Sequence, residues 1–88
     1  MKAHTKIYFN FFGYTGHEFI PCEICGRKAV DINHIDARGM GGNPCKDKDV
    51  IENLMANCRE CHLKFGDIAE KKEWLKHLHL NFMLAHSV

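Results

Sequence analysis

The sequence predicts a small α+β domain, and three observations carry that prediction. Two Cys-x-x-Cys pairs, Cys22/Cys25 and Cys58/Cys61, stand far apart in the chain. Residues 29–35 (AVDINHI) alternate apolar and polar side chains around Val30 and Ile32, which is the period of a strand. Beyond Asp67, apolar residues recur at three-and-four spacing, which is the period of a helix. The expected organisation is one domain over residues 1–88, with its core at 22–64, an N-terminal strand or arm at 1–20 and a C-terminal helix at 67–86.

In chain order, Lys6–Phe12 (KIYFNFF) places Ile7, Phe9 and Phe11 on one side of an alternating pattern, as in a strand or extended arm. Gly13 and Gly16 then mark a turn. Pro21-Cys22-Glu23-Ile24-Cys25-Gly26 reads as a tight knuckle, and a second strand follows over 29–35. Residues 36–49 (DARGMGGNPCKDKD) are glycine-rich and charged, which suits a long functional loop rather than the interior of an element. Apolar character returns at Val50–Ala56. Cys58–Phe65 opens a short helix, with Gly66 as its C′ residue. Asp67 and Glu70 have the spacing of a capping box for the last helix. Its stripe is Ile68, Leu75, Leu78, Phe82 and Ala85, while Leu80, Met83 and Leu84 fall off it. Those three residues fit either a broad buried face or a second apolar surface for another chain.

Eighty-eight residues bury too little apolar surface to be secure without a disulfide, a metal or a partner. Hydrophobic residues at 45% and charged residues at 26% are ordinary for a globular chain, which excludes a disordered tail. The sequence lacks a long apolar run and a signal-peptide pattern, which predicts a cytoplasmic protein with no membrane partner. In that compartment five cysteines are expected to be reduced, and an odd number cannot all pair within one chain. The two CxxC pairs suit a tetrahedral structural Zn2+ held by Cys22, Cys25, Cys58 and Cys61. Two disulfides or four buried thiols are the rival readings. Cys45 is left over as an incidental thiol, and a CxxC redox site lacks its usual βαβ setting. A net charge of +1 excludes a purely electrostatic nucleic-acid binder.

Between the knuckles stand Asn33-His34-Ile35, Arg38-Gly39-Met40-Gly41-Gly42 and Glu52-Asn53-Leu54, and the second knuckle ends Cys61-His62. With Cys22-x-x-Cys25-Gly26 in front, this order resembles the HNH endonucleases over Cys22–Lys64, about half of the chain. The resemblance implies a ββα-metal fold and metal-dependent hydrolysis of phosphodiester bonds in DNA. It implies His34 as general base, Asn53 as the brace that holds His34, and His62 as ligand of a catalytic Mg2+ or another divalent cation such as Mn2+. Small stand-alone members resemble those carried by phages, which implies a phage protein as a further partner. Homodimerisation through the C-terminal helix is the other way such a short chain would gain a second surface.

Position 33 departs from the family, where the residue before the base is usually His or Asp and binds metal. Asn33 offers an uncharged, weaker oxygen ligand. Asp31, two residues back on the same strand face, is a candidate to help it, or else a surface or supporting carboxylate. The alternative function is a weakened or inactive zinc module that binds nucleic acid or protein. Arg38, Arg59 and Lys64 are candidate phosphate contacts, and Arg38 is the best placed. His77, His79 and His86 read as solvated helix histidines, while His4 and His17 carry no signal.

Overall fold

The computed structural model describes residues 2–36, 49–66 and 68–86. The elements are helix α1 (Ala3–Phe12), strand β1 (Asp31–His34), a 3-10 turn (Ile51–Asn53), strand β2 (Leu54–Asn57), helix α2 (Arg59–Phe65), a second 3-10 turn (Ala69–Lys71) and helix α3 (Lys72–His86). Strands β1 and β2 pair antiparallel, with Asp31 opposite Asn57 and His34 opposite Leu54. Helix α2 follows β2 directly, so β1, β2 and α2 form a ββα unit.

Alternation assigns the two faces of the hairpin to different layers. Leu54 and Ala56 are buried with Tyr8 of α1, and Ile7, Phe9, Phe12 and Ile32 pack around them. Met55, between them in the chain, turns the other way and is buried with Ile35 and Leu75 of α3, against Phe65 and Leu78. The two-stranded sheet is thus covered on both faces, which an isolated hairpin needs for stability in water.

The N-terminal segment corrects the strand or arm expected there, because residues 3–12 are helical. Alternation in KIYFNFF coexists with a four-residue spacing, and packing selects the latter. His4, Tyr8 and Phe12 share one side of α1, where their rings meet those of His34, Tyr14 and Phe82. Gly13 ends the helix by donating its N–H to the Phe9 carbonyl. The last helix also starts later than residue 67, since Ala69–Lys71 is a 3-10 turn. Asp67, half of the expected capping box, lies outside the described residues. On α3 the buried positions are Leu75 and His79, while Leu80 and Leu84 are exposed, as is Ile68 ahead of the 3-10 turn. The apolar residues off the stripe therefore leave a partly uncovered face.

His79 is not a solvated histidine, because its side chain is fully buried. Its Nδ1 lies 2.7 Å from Glu23 Oε1 and its Nε2 lies 2.5 Å from the Ile51 carbonyl oxygen. A carbonyl oxygen only accepts, so Nε2 carries a hydrogen and Nδ1 faces the carboxylate. Glu23 Oε2 accepts from the Tyr8 hydroxyl at 2.5 Å and from the Ala56 N–H at 3.2 Å. Burial first, and the Glu23 charge second, push the Tyr8 hydroxyl well above its usual pKa, which keeps it a donor. This network joins α1, the first knuckle, β2 and α3. Replacing His79 by leucine leaves a buried carboxylate short of its partner, which costs about 3 kcal/mol. Urea unfolding of His79→Leu is expected to show that loss, while Tyr8→Phe, which removes one of the three partners of Glu23, is expected to lose about half as much.

Candidate functional site

The two CxxC pairs converge. Sγ atoms of Cys22, Cys25, Cys58 and Cys61 lie within 4.8 Å of one another, and three of the four residues are buried. The first knuckle turns on Gly26, whose φ of 81° lies in the left-handed region and whose N–H reaches the Cys22 carbonyl at 2.9 Å. The second opens α2, where Cys58 Sγ caps the helix by accepting from the Cys61 N–H at 3.4 Å. Burial opposes charge on Cys22, but backbone N–H groups of Cys58, Cys25 and Ile24 outweigh it and hold that thiol at about 7. Four sulfurs gathered in this way, with N–H groups aimed at one of them, are compatible with a tetrahedral zinc site. They form no disulfide.

On the α2 face of the hairpin, Asp31 Oδ2 lies 3.7 Å from His62 Nδ1. Asn33 belongs to the same group through Gly66. A Cβ built on Gly66 would stand 3.1 Å from Asn33 Nδ2, 2.7 Å from His62 Cδ2 and 2.6 Å from the His62 carbonyl oxygen. Gly66 follows α2 as the expected C′ glycine, but its φ is −64°, so no left-handed cap forms. The close approach of Asn33 and His62 is what requires glycine there. Carboxylate, amide and imidazole suit a hard or borderline divalent cation.

His34 lies on the opposite face. Its Nε2 is 2.7 Å from Asp49 Oδ1, and both side chains are sheltered, at 13% and 10% exposure. Helix α1 brings His4 to the same place, with the two imidazole rings 4.7 Å apart. Burial, and then the nearby His34, lower the pKa of His4, so it is neutral near pH 7. Asn53 grips the chain just beyond His34. Its Oδ1 accepts from the Asp36 N–H at 2.8 Å, its Nδ2 donates to the Asp36 carbonyl at 3.1 Å, and its own carbonyl accepts from the Ile35 N–H at 2.9 Å. Both ends of the glycine-rich loop are therefore anchored, one by Asn53 and one by His34.

The family is decided by residues 22–67, which match the model of the HNH endonuclease family and make up just over half of the chain. The chain belongs to the HNH endonuclease family. Neither the curated proteins nor the solved structures yield a match. HNH membership carries a nuclease-type, metal-binding function.

For this HNH domain the structure brings Asp31, Asn33 and His62 together, and separately groups His34 with Asp49 and His4. Arg38 and Cys45 lie outside the described residues. Lys64 is paired with Glu60 at 3.0 Å on the exposed side of α2. Sequence reading missed His4 and Asp49. His4 had no motif partner, and Asp49 ended a charged run in which nothing set one carboxylate apart.

Three outcomes follow from this geometry. Stripping zinc-loaded protein with a strong chelator is expected to unfold it, because metal binding in small domains is itself folding free energy. Cys58→Ser is expected to lower zinc affinity and abolish the cooperative thermal transition, read by metal analysis and calorimetry. Gly66→Ala forces a methyl group against the α2 backbone and is expected to cost about 1–3 kcal/mol. The shifted His62 ring resonances of that variant would report the displacement.

Proposed function

We propose that the protein is a metal-dependent endonuclease that hydrolyses phosphodiester bonds in DNA. The observation that supports it best is the 2.7 Å contact between His34 Nε2 and Asp49 Oδ1. With Nε2 bonded to Asp49, the free lone pair of the neutral ring sits on Nδ1, the atom that takes a proton from water. Asp49 then stabilises the imidazolium that forms, and Asn53 fixes the backbone that carries the base. Asp31, Asn33 and His62 would hold the divalent cation, Mg2+ or Mn2+, which when bound supplies charge neutralisation at the phosphate and at the leaving 3′ oxygen. Residues 33 and 34 are neighbours at the end of β1, so a phosphate lying across that end meets both faces of the hairpin. Arg38, two residues beyond Asp36 in the chain, is the proposed side-chain contact to the DNA backbone. The Cys22/Cys25/Cys58/Cys61 site would hold a structural Zn2+ with no part in the chemistry.

His34→Ala is expected to lower plasmid cleavage in Mg2+ or Mn2+ by at least ~100-fold while the thermal transition is kept. Asn33→His adds a stronger ligand beside His62 and is expected to raise the rate at limiting metal concentration. One observation favours a second reading, a zinc module without catalysis: base and cation ligands occupy opposite faces of the sheet. Full cleavage by His34→Ala would overturn His34 as the base, and no cleavage by either wild type or Asn33→His would favour that module.

A further inference from the structure

The His4, His34 and Asp49 side chains come from three separate elements: α1, the end of β1, and the segment that enters the 3-10 turn before β2. One ligand atom from each lies within 4.8 Å of the other two. His34 Nε2 and Asp49 Oδ1 are already 2.7 Å apart and sheltered, which removes competing water from two of the three donors. A cavity of about 310 Å³, lined by His4, Thr5, Phe9, Asp31 and Ile32 among others, opens beside His4.

Two imidazoles and one carboxylate are a donor set for transition metals, and zinc is the ion such sites bind best among those that neither change oxidation state nor demand an octahedron. From this geometry we infer that His4, His34 and Asp49 form a second zinc site, distinct from the four-cysteine cluster and from the Asp31/Asn33/His62 group. A zinc ion there takes the place of the hydrogen between His34 Nε2 and Asp49. A neutral imidazole bound through Nε2 carries its hydrogen on Nδ1. That is the atom the nuclease reading needs as a free base, so on that reading excess zinc switches the enzyme off.

The test is titration of protein that already holds one equivalent of zinc, with Zn2+ followed by calorimetry and by the 15N shifts of the imidazole rings. A second equivalent is expected to bind, to move the His4 and His34 resonances, and to weaken at least ~10-fold in both His4→Ala and Asp49→Asn but not in His62→Ala. The more conservative His4→Gln serves if His4→Ala fails to fold. Absence of a second equivalent, or a second equivalent indifferent to His4 and lost in His62→Ala, overturns the site. In the activity arm, Zn2+ added to the Mg2+-supported reaction is expected to inhibit wild type at concentrations about tenfold below those needed for His4→Ala. If no DNA is cleaved in any form, the nuclease reading fails while the binding result still decides the zinc site.

Discussion

Glu23 is the group on which the rest of this structure depends. It lies between the two cysteines of the first knuckle, and its buried carboxylate holds Tyr8 of α1, the backbone of β2 and His79 of α3 at once. Its own N–H donates to the Ala56 carbonyl, so the knuckle is pinned to β2 through backbone and side chain together. A buried carboxylate is costly unless every lone pair finds a donor, and here the donors arrive from three different elements. That requirement fixes which helix lies on which face of the hairpin. A generic hydrophobic core of so few residues would leave that choice open, because many packings of a short helix on two strands bury similar area.

The consequence is a hairpin with two chemically different faces. The face under α1 carries His34 beside His4, and the face toward α2 and α3 carries Asn33 near His62. Adjacent strand residues must diverge, so Asn33 and His34, side by side in sequence, are sorted to opposite sides as long as β1 stays regular. The strand ends at His34, and Asn53 captures the chain from Ile35 to Asp36 immediately beyond it. Asn53 thereby decides where regular pairing stops and where the loop departs. Lys72 of α3 adds an ion pair to the Asp36 side chain, which couples the last helix to the same hinge.

Much of this was legible in the sequence, for identifiable reasons. The cysteine spacing carries a metal geometry that few other arrangements satisfy, so the cluster follows from Cys22, Cys25, Cys58 and Cys61, while the ββα unit around it is implied by the resemblance to HNH endonucleases. Strand alternation placed Asp31 and Asn33 on one face, and the structure puts Asp31 within 3.7 Å of His62. What failed was every feature set by long-range packing. The aromatic N-terminal run has strand propensity, yet it becomes a helix because Tyr8 finds Glu23 and Phe12 finds Phe82. His79 belongs to no motif, and only the fold reveals that its position faces a carboxylate from the first knuckle. Asp49 is set apart from its charged neighbours solely by proximity to His34.

The charge distribution gives the near-neutral total its physical meaning. Arg27 and Lys64 share Glu60, Lys76 lies beside Glu73, and Lys72 pairs with Asp36, so these cations are compensated close to their own side chains. Such exposed pairs contribute little to stability, but they spend positive charge that would otherwise attract a polyanion. On the nuclease reading these four cations therefore add little to an interface with phosphate through the release of counterions. On that reading a further source is local: a divalent cation held by Asp31, Asn33 and His62 would concentrate two positive charges where one phosphate sits, and the amide of Asn33 would leave that charge less neutralised than a second carboxylate. The same amide would hold the cation less tightly. Position 33 would thus set ion affinity against the charge presented to the substrate.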